Sequence, residues 1–307
     1  MVIERYSQSY CRPGLQQQKG MGMSEQDLRW PGGKRIAVLF NLCLEQWSDG
    51  KAPGISPMGN PLPPGVLDMT AISWAAFGCR RGIYRLLDGL GQHGAKATVM
   101  TNAVVAERYP EAVKAVAKAG HEVASHSYSM DVIPAFLSEE DEKKNLDRCS
   151  ALLEQASGKK VVGWLSPRAT STARTPALLA RAGYRWYGDI LDDDLPYVLT
   201  FDNRPIVAIP LQTDVNDMPF MKHGSVPATT LDAFDENLRL CEKSSRLEII
   251  DVTIHCHIFG HRRGASYFTK IVEHAATSKD VWIGTRSEMA EHVLAQQSLP
   301  LRSAAVG

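Results

Sequence analysis

Along the chain, short unbroken apolar runs alternate with longer stretches in which apolar residues return every three or four positions. The first run, Ile36 to Phe40 in RIAVLFNLCLEQW, is apolar at successive positions, as a strand buried on both faces requires. A segment dense in Gly and Pro, SDGKAPGISPMGNPLPPGVLDMT, follows and reads as a long ordered loop. RRGIYRLLDGLGQHG then has helical spacing at Ile83, Leu86, Leu87 and Leu90, and AKATVMTN reads as the next strand. The order continues with helix PEAVKAVAKAG, strand HEVASH, and helix SEEDEKKNLDRCSALLEQASG, which opens on a capping pair, Ser138 with Asp141. Strand KVVGWLSPR, helix TPALLARAG with Gly183 as its stop, and strand YRWYGDI come next. Helix TLDAFDENLRLCEKS, strand LEIIDVTIHCH, helix SYFTKIVEHAATS, strand DVWIGT and helix RSEMAEHVLAQQ complete the pattern.

Strand followed by helix, repeated about seven times, is the order of parallel strands joined by right-handed crossovers, and it favours a barrel over an open sheet. The predicted architecture is α/β, one barrel domain over residues 34–297. Met1 to Gly33 is polar and rich in Gln, Ser and Gly, so it reads as an arm, either mobile or laid over a neighbouring subunit, and 298–307 reads as a tail.

Composition narrows the partners. Lys+Arg and Asp+Glu are both 34, so the formal net charge is zero, which removes the basic footprint of a nucleic-acid binder and of a polybasic membrane patch. The first residues lack an apolar signal core and no run approaches the length that spans a bilayer. Six cysteines, at 11, 43, 79, 149, 241 and 256, are scattered without a CxxC pair, as suits reduced thiols. The expectation is a cytoplasmic protein that acts on a small molecule.

In a barrel of this kind chemistry sits where strands end. The residues at and just after the predicted strands are Cys43 and Glu45, Thr101 and Asn102, His126, Ser166 and Arg168, Asp189, and His255 and His257. Singly, each has a structural reading: His126 as a hydrogen-bonded packing residue, Glu45 as a surface acid, Arg168 as an ion-pair partner. Together they converge on one mouth with a carboxylate, imidazoles and a guanidinium. Cys43 and Cys256 read more readily as small buried packers than as nucleophiles. Trp47, Trp164 and Trp186 are candidates for a flat pocket wall or for the core.

RIAVLFNLCLEQW, GHEVASHSYSMD, GWLSPRATSTARTPALLARAGYRWYGD, DDDLPY and VTIHCHIFGH with VWIGTRSEMAEH resemble, in order and spacing, the polysaccharide deacetylase (NodB-homology) family. The likeness runs from about Arg35 to His292 and is nearest to that family's intracellular branch of allantoinase-like and cyclic-imide-hydrolysing enzymes. It implies a distorted (β/α)7 TIM-like barrel, hydrolysis of non-peptide C–N bonds, and a homo-oligomer, a tetramer in many relatives. The family's metal-dependent members use an aspartate base and an aspartate ligand after the first strand, and two histidines four residues apart after the third. Here those positions hold Cys43, Glu45, His126 and Met130. A thioether is a poor zinc ligand. No cofactor is therefore expected, and zinc, if bound, would rest on Glu45 and His126.

The resemblance further implies Glu45, His126, Arg168 and His255 as catalytic residues. Glu45 or His126 would be the base, Arg168 would stabilise the oxyanion, and His255 would be the proton donor. Cys43, Trp47, Ser166, Asp189, Asp194 and His257 are the expected substrate-binding residues, with part of the DDD run alternatively capping a turn. The Asn216–Asp217 pair borders the mouth without an assigned role. The leading reading is an amidohydrolase of a small cyclic amide, imide or ureide. Two rivals stay open: a metal-dependent deacetylase of an N-acylated sugar, and an inactive ligand-binding barrel.

Overall fold

The structure is a computed structural model that describes residues 29–296 apart from 56, 59–61 and 64, so most of the expected arm and all of the tail lie outside the described residues. Ten strands form one sheet: β1 (Ile36–Leu44), β2 (Thr98–Thr101), β3 (Glu122–Ser125), β4 (Gly163–Trp164), β5 (Trp186–Tyr187), β6 (Tyr197–Phe201), β7 (Arg204–Ala208), β8 (Val215–Asn216), β9 (Glu248–His255) and β10 (Val281–Gly284). Their order is β6-β7-β5-β4-β3-β2-β1-β9-β8. β10 pairs with the first half of β1, and β2 pairs with the second half. Every pairing is parallel except that of β6 with β7. β6 and β8 end the path without pairing to each other, so the expected distorted barrel is a parallel-dominated sheet left open at that seam.

Strand alternation sorts the core into two clusters. Ile36, Val38, Phe40, Leu42 and Leu44 of β1 pack outward against helix residues such as Ile83, Leu86 and Phe268. Ala37, Leu39 and Cys43 face inward, with Met100, Ala124 and Leu165. The helix Arg286–Ala295 closes the N-terminal end of this interior with Met289, Ala290 and Val293. Its first residue, Arg286, is fully buried and donates from Nη2 to both carboxylate oxygens of Asp251 on β9, at 2.9 and 2.8 Å. Arg286 Nε reaches Asn41 of β1 at 2.9 Å, and Nη1 reaches the Ile209 carbonyl at 3.0 Å.

The structure corrects the sequence reading in several places. Trp30, placed by composition in the arm, is buried, stacks on Trp282 and donates from Nε1 to the Glu248 carbonyl. The end of the predicted loop is a helix, Met69–Phe77, whose first turn is capped by Asp68. One widened turn, Gly78–Gly82, joins that helix to the expected one at Ile83–Gly91. β6 and β7 form a hairpin over Asp202 and Asn203, both in the left-handed conformation that a two-residue turn demands. Trp164 and Trp186 are wholly buried packing residues and not a pocket wall.

Candidate active site

The period of two in β1 and β9 builds the centre of the site. Cys43 of β1 with Glu45 just beyond it, and His255 of β9 with His257 just beyond it, fall on the same inward face, and parallel register sets Cys43 beside His255. His126 follows β3, Ser166 follows β4, and Asp217 follows β8, so each group enters from the C-terminal end of a strand. His257 is held by a close backbone approach: a Cβ on Gly82 would lie 2.0 Å from the Cys256 carbonyl oxygen, which only glycine permits. That contact brings Trp74 edge-on to the His257 ring at 4.5 Å between centroids.

Glu45 is 3% exposed and sits among three imidazoles. Its Oε1 is 3.5 Å from His255 Nε2 and 3.6 Å from His126 Nε2, and its Oε2 is 4.0 Å from His257 Nδ1. Burial disfavours its charge, but His255 first, then His126 and His257, outweigh burial and hold the carboxyl at about 2. His255 donates from Nδ1 to Asp217 Oδ1 at 2.6 Å. Burial opposes its charge as well, yet the Glu45 and Asp217 carboxylates, with the hydrogen bond to Asp217, raise it well above the usual imidazole value.

His126 Nδ1 is 2.6 Å from the Leu165 carbonyl and must be the donor there, so Nε2 is the ring nitrogen that faces Glu45 and the cavity. Burial drops His257 to about 4, so it is neutral, and neither of its ring nitrogens has a partner among the described residues. Glu45 Oε2 and Ser166 Oγ are likewise buried without partners. Burial pushes the Cys43 thiol up, against the pull of His255. A cavity of about 780 Å³ opens above these groups.

Of the residues singled out in the sequence, Cys43, Glu45, Trp47, His126, Ser166, Arg168, His255 and His257 line this one cavity. Asp189 and Asp194 do not line it. Asp189 accepts from the Ser166 amide at 2.7 Å and from Trp164 Nε1 at 3.2 Å, so it shapes the loop behind Ser166, and burial lifts its carboxyl to about 6. Asp193 accepts from the amides of Asp194 and Leu195, the turn-capping alternative for the DDD run. Arg168 reaches the cavity from its exposed rim. Two residues went unassigned in the sequence. Asp217 fixes His255, and its only signal was the Asn-Asp pair. Trp74 packs on His257 and had no signal, because residues 71–79, which hold it, were assigned to no element.

The donor set does not suit a tightly held zinc ion. Met130 lines the cavity where the second histidine of the metal-dependent pattern would stand. Among the described residues the ligand atoms that converge within 4.8 Å belong to Cys43, Glu45 and His255, and His126 is outside that group. One of these three is the Cys43 thiol, which burial disfavours ionising and which would have to release its proton to hold a cation.

Residues 78–187 match the polysaccharide deacetylase family model, and proteins similar to the chain carry related names. A Schizosaccharomyces pombe protein provisionally named a polysaccharide deacetylase is 24% identical over 304 residues, covering 85% of this chain and 91% of its own. Among solved structures, a Mycobacterium smegmatis protein, also provisionally named a polysaccharide deacetylase, is 27% identical with a TM-score of 0.77 over 90% of this chain and 96% of its own. The Puue allantoinase structure shares the fold at 23% identity, with a TM-score of 0.80 over 92% of this chain and 97% of its own.

Proposed function

We propose that the protein hydrolyses the ring C–N bond of a small cyclic amide, imide or ureide without tightly bound zinc. The observation that carries this reading is the floor of the cavity, where the Glu45 carboxylate stands between the His126 and His255 rings, with a thioether in the metal-ligand position.

In the proposed reaction, water sits between Glu45 Oε2 and His257 Nδ1, two buried atoms 4.0 Å apart that both lack a partner among the described residues. His126 Nε2 takes the proton as water attacks the ring carbonyl. Glu45, at about 2, is too weak a base for that step, and serves instead to stabilise the imidazolium that forms on His126. The buried, unpartnered Ser166 hydroxyl donates to the tetrahedral oxyanion. As the C–N bond breaks, His255 Nε2 gives its proton to the leaving nitrogen, and Asp217 keeps that ring in its tautomer. The nitrogen of a cyclic imide leaves more easily than that of an acetamide, so no Lewis acid is needed. The apolar and aromatic walls, with Trp47, Trp74 and Leu165, suit a compact ring better than a hydroxyl-rich sugar chain.

The test is a hydrolysis screen on cyclic imides, hydantoins, allantoin and N-acetyl sugars, run on the wild type and on Glu45→Gln and His126→Ala. Ring opening that survives chelator and is lost in both variants, with thermal unfolding kept, supports the proposal. Turnover confined to N-acetyl sugars and dependent on added metal would favour the deacetylase reading. A protein with no turnover to lose would favour the binding barrel.

A further inference from the structure

The charges that line the cavity do not balance. Glu45 is its sole lining carboxylate, and His126 and His255 already stand against it. Arg168 and Lys222 line the same cavity, both exposed at its rim, and neither makes a side-chain hydrogen bond or ion pair among the described residues. They arrive from separate elements: Arg168 from the loop after β4, Lys222 from the end of the helix Asp217–Lys222. Arg168 and Ala169 are successive non-glycine residues in the left-handed region, with φ of 59° and 50°. Backbone strain of this kind persists where the surrounding structure holds a side chain in place for use. The cations do not face a lining acid, so their counter-charge must come with the ligand.

We propose that the ring substrate bears a carboxylate on a substituent, held at the rim by Arg168 and Lys222 while the scissile carbonyl lies over the floor near Ser166 and His126. The guanidinium offers a planar fork that matches a carboxylate, and the ammonium adds a point charge. The inference rests on the ring-hydrolase reading and narrows its substrate to anionic rings. It also accounts for an apolar wall beneath a cationic rim: the neutral ring goes inward and its charged arm stays near solvent.

The test is calorimetric binding of hydantoin-5-acetic acid and of its neutral amide to the full-length protein, repeated on Lys222→Gln, alongside turnover of both compounds. A charged ligand paired with a rim cation gains roughly tenfold or more in affinity over the neutral one. That preference should weaken with ionic strength and shrink severalfold in the variant. Equal affinity for acid and amide, or an unchanged ratio in Lys222→Gln, would overturn the carboxylate proposal while leaving ring hydrolysis standing. Failure to bind or open either ring would overturn both.

Discussion

Replacing Arg286 by Met tests whether the barrel interior is organised as described, and it needs no substrate. Met fills much of the volume of the arginine stem but leaves Asp251, 1% exposed, with its charge uncompensated. The change also removes donors to the Asn41 side chain and the Ile209 carbonyl, at 2.9 and 3.0 Å. Breaking a buried, bidentate ion pair from one side costs ~3–5 kcal/mol. In a chain of this size a kcal/mol corresponds to ~2–4 °C, so Tm should fall by roughly 6–20 °C. The assay is thermal and urea unfolding of wild type, Arg286→Met, and the double variant Arg286→Met with Asp251→Asn. The second change removes the stranded charge and keeps an acceptor for one of the two donors, Asn41 Nδ2 or the Gln212 amide, so at least half the loss should return. A single variant that loses less than ~1 kcal/mol, or a double variant with no recovery, would refute the claim that charge in this layer is what Arg286 balances.

Four further outcomes follow from the site. Purified protein should carry well under one zinc per chain by mass spectrometry and keep its activity in chelator; stoichiometric zinc would overturn the donor argument made for Cys43 and Met130. Glu45 titrates at about 2 against an ordinary 4.5, so its stabilising contribution is present above about 4.5 and is lost as pH falls towards 2. Tm measured against pH should therefore show an acid slope that Glu45→Gln flattens. His255 is raised, so both its stabilising contribution and its use as an acid are full below about 6.5 and disappear as pH rises through its higher folded value. In Asp217→Asn the alkaline limb of kcat/KM should move to lower pH and kcat should fall ~10²-fold or more, and an unmoved limb would show that another group is the proton donor. Gly82→Ala forces a methyl to within 2.0 Å of the Cys256 carbonyl, with backbone on both sides, and should cost ~1–3 kcal/mol or more and loosen His257; a neutral effect on Tm would contradict the packing.

Much of the fold was legible because its signals are local. Apolar runs and Gly stops locate most of the parallel strands, though not their bounds, Ser138 caps its helix as its spacing with Asp141 predicts, and Gly183 ends the helix Thr175–Ala182 in the left-handed conformation. The misses have physical reasons. The helix Met69–Phe77 is apolar nearly all round, so it has no periodic stripe to read, and its start is masked by the Pro-rich run before it. The β6–β7 hairpin turns on Asp202–Asn203 in place of the more telling Asn-Gly, and β8 is only two residues long.

At the site, the strand-end rule located His126, Glu45, His255 and His257, because a residue's position along a strand decides which end it reaches. It failed for Asp189, since standing near a strand end does not say whether a carboxylate points into the mouth or back to cap a loop. It also left Asp217 unassigned, whose importance lies wholly in a contact 38 residues away in sequence.

One alternation explains both the rigid and the reactive parts of the interior. On β9 the inward positions are Asp251, Thr253 and His255, with His257 two residues beyond; on β1 they are Asn41 and Cys43, with Glu45 beyond. In the lower layer the carboxylate of Asp251 receives a permanent cation, because the closing helix delivers Arg286 to it. In the upper layer the carboxylate of Glu45 receives only imidazoles, whose charge depends on protons that can leave. Guanidinium keeps its proton at any working pH and so locks its layer; imidazole exchanges its proton near neutrality and so keeps its layer available for acid–base work. The same strand geometry thus yields a pair locked by a permanent cation and a pair whose charge can change, and the difference lies in which cation each carboxylate is given.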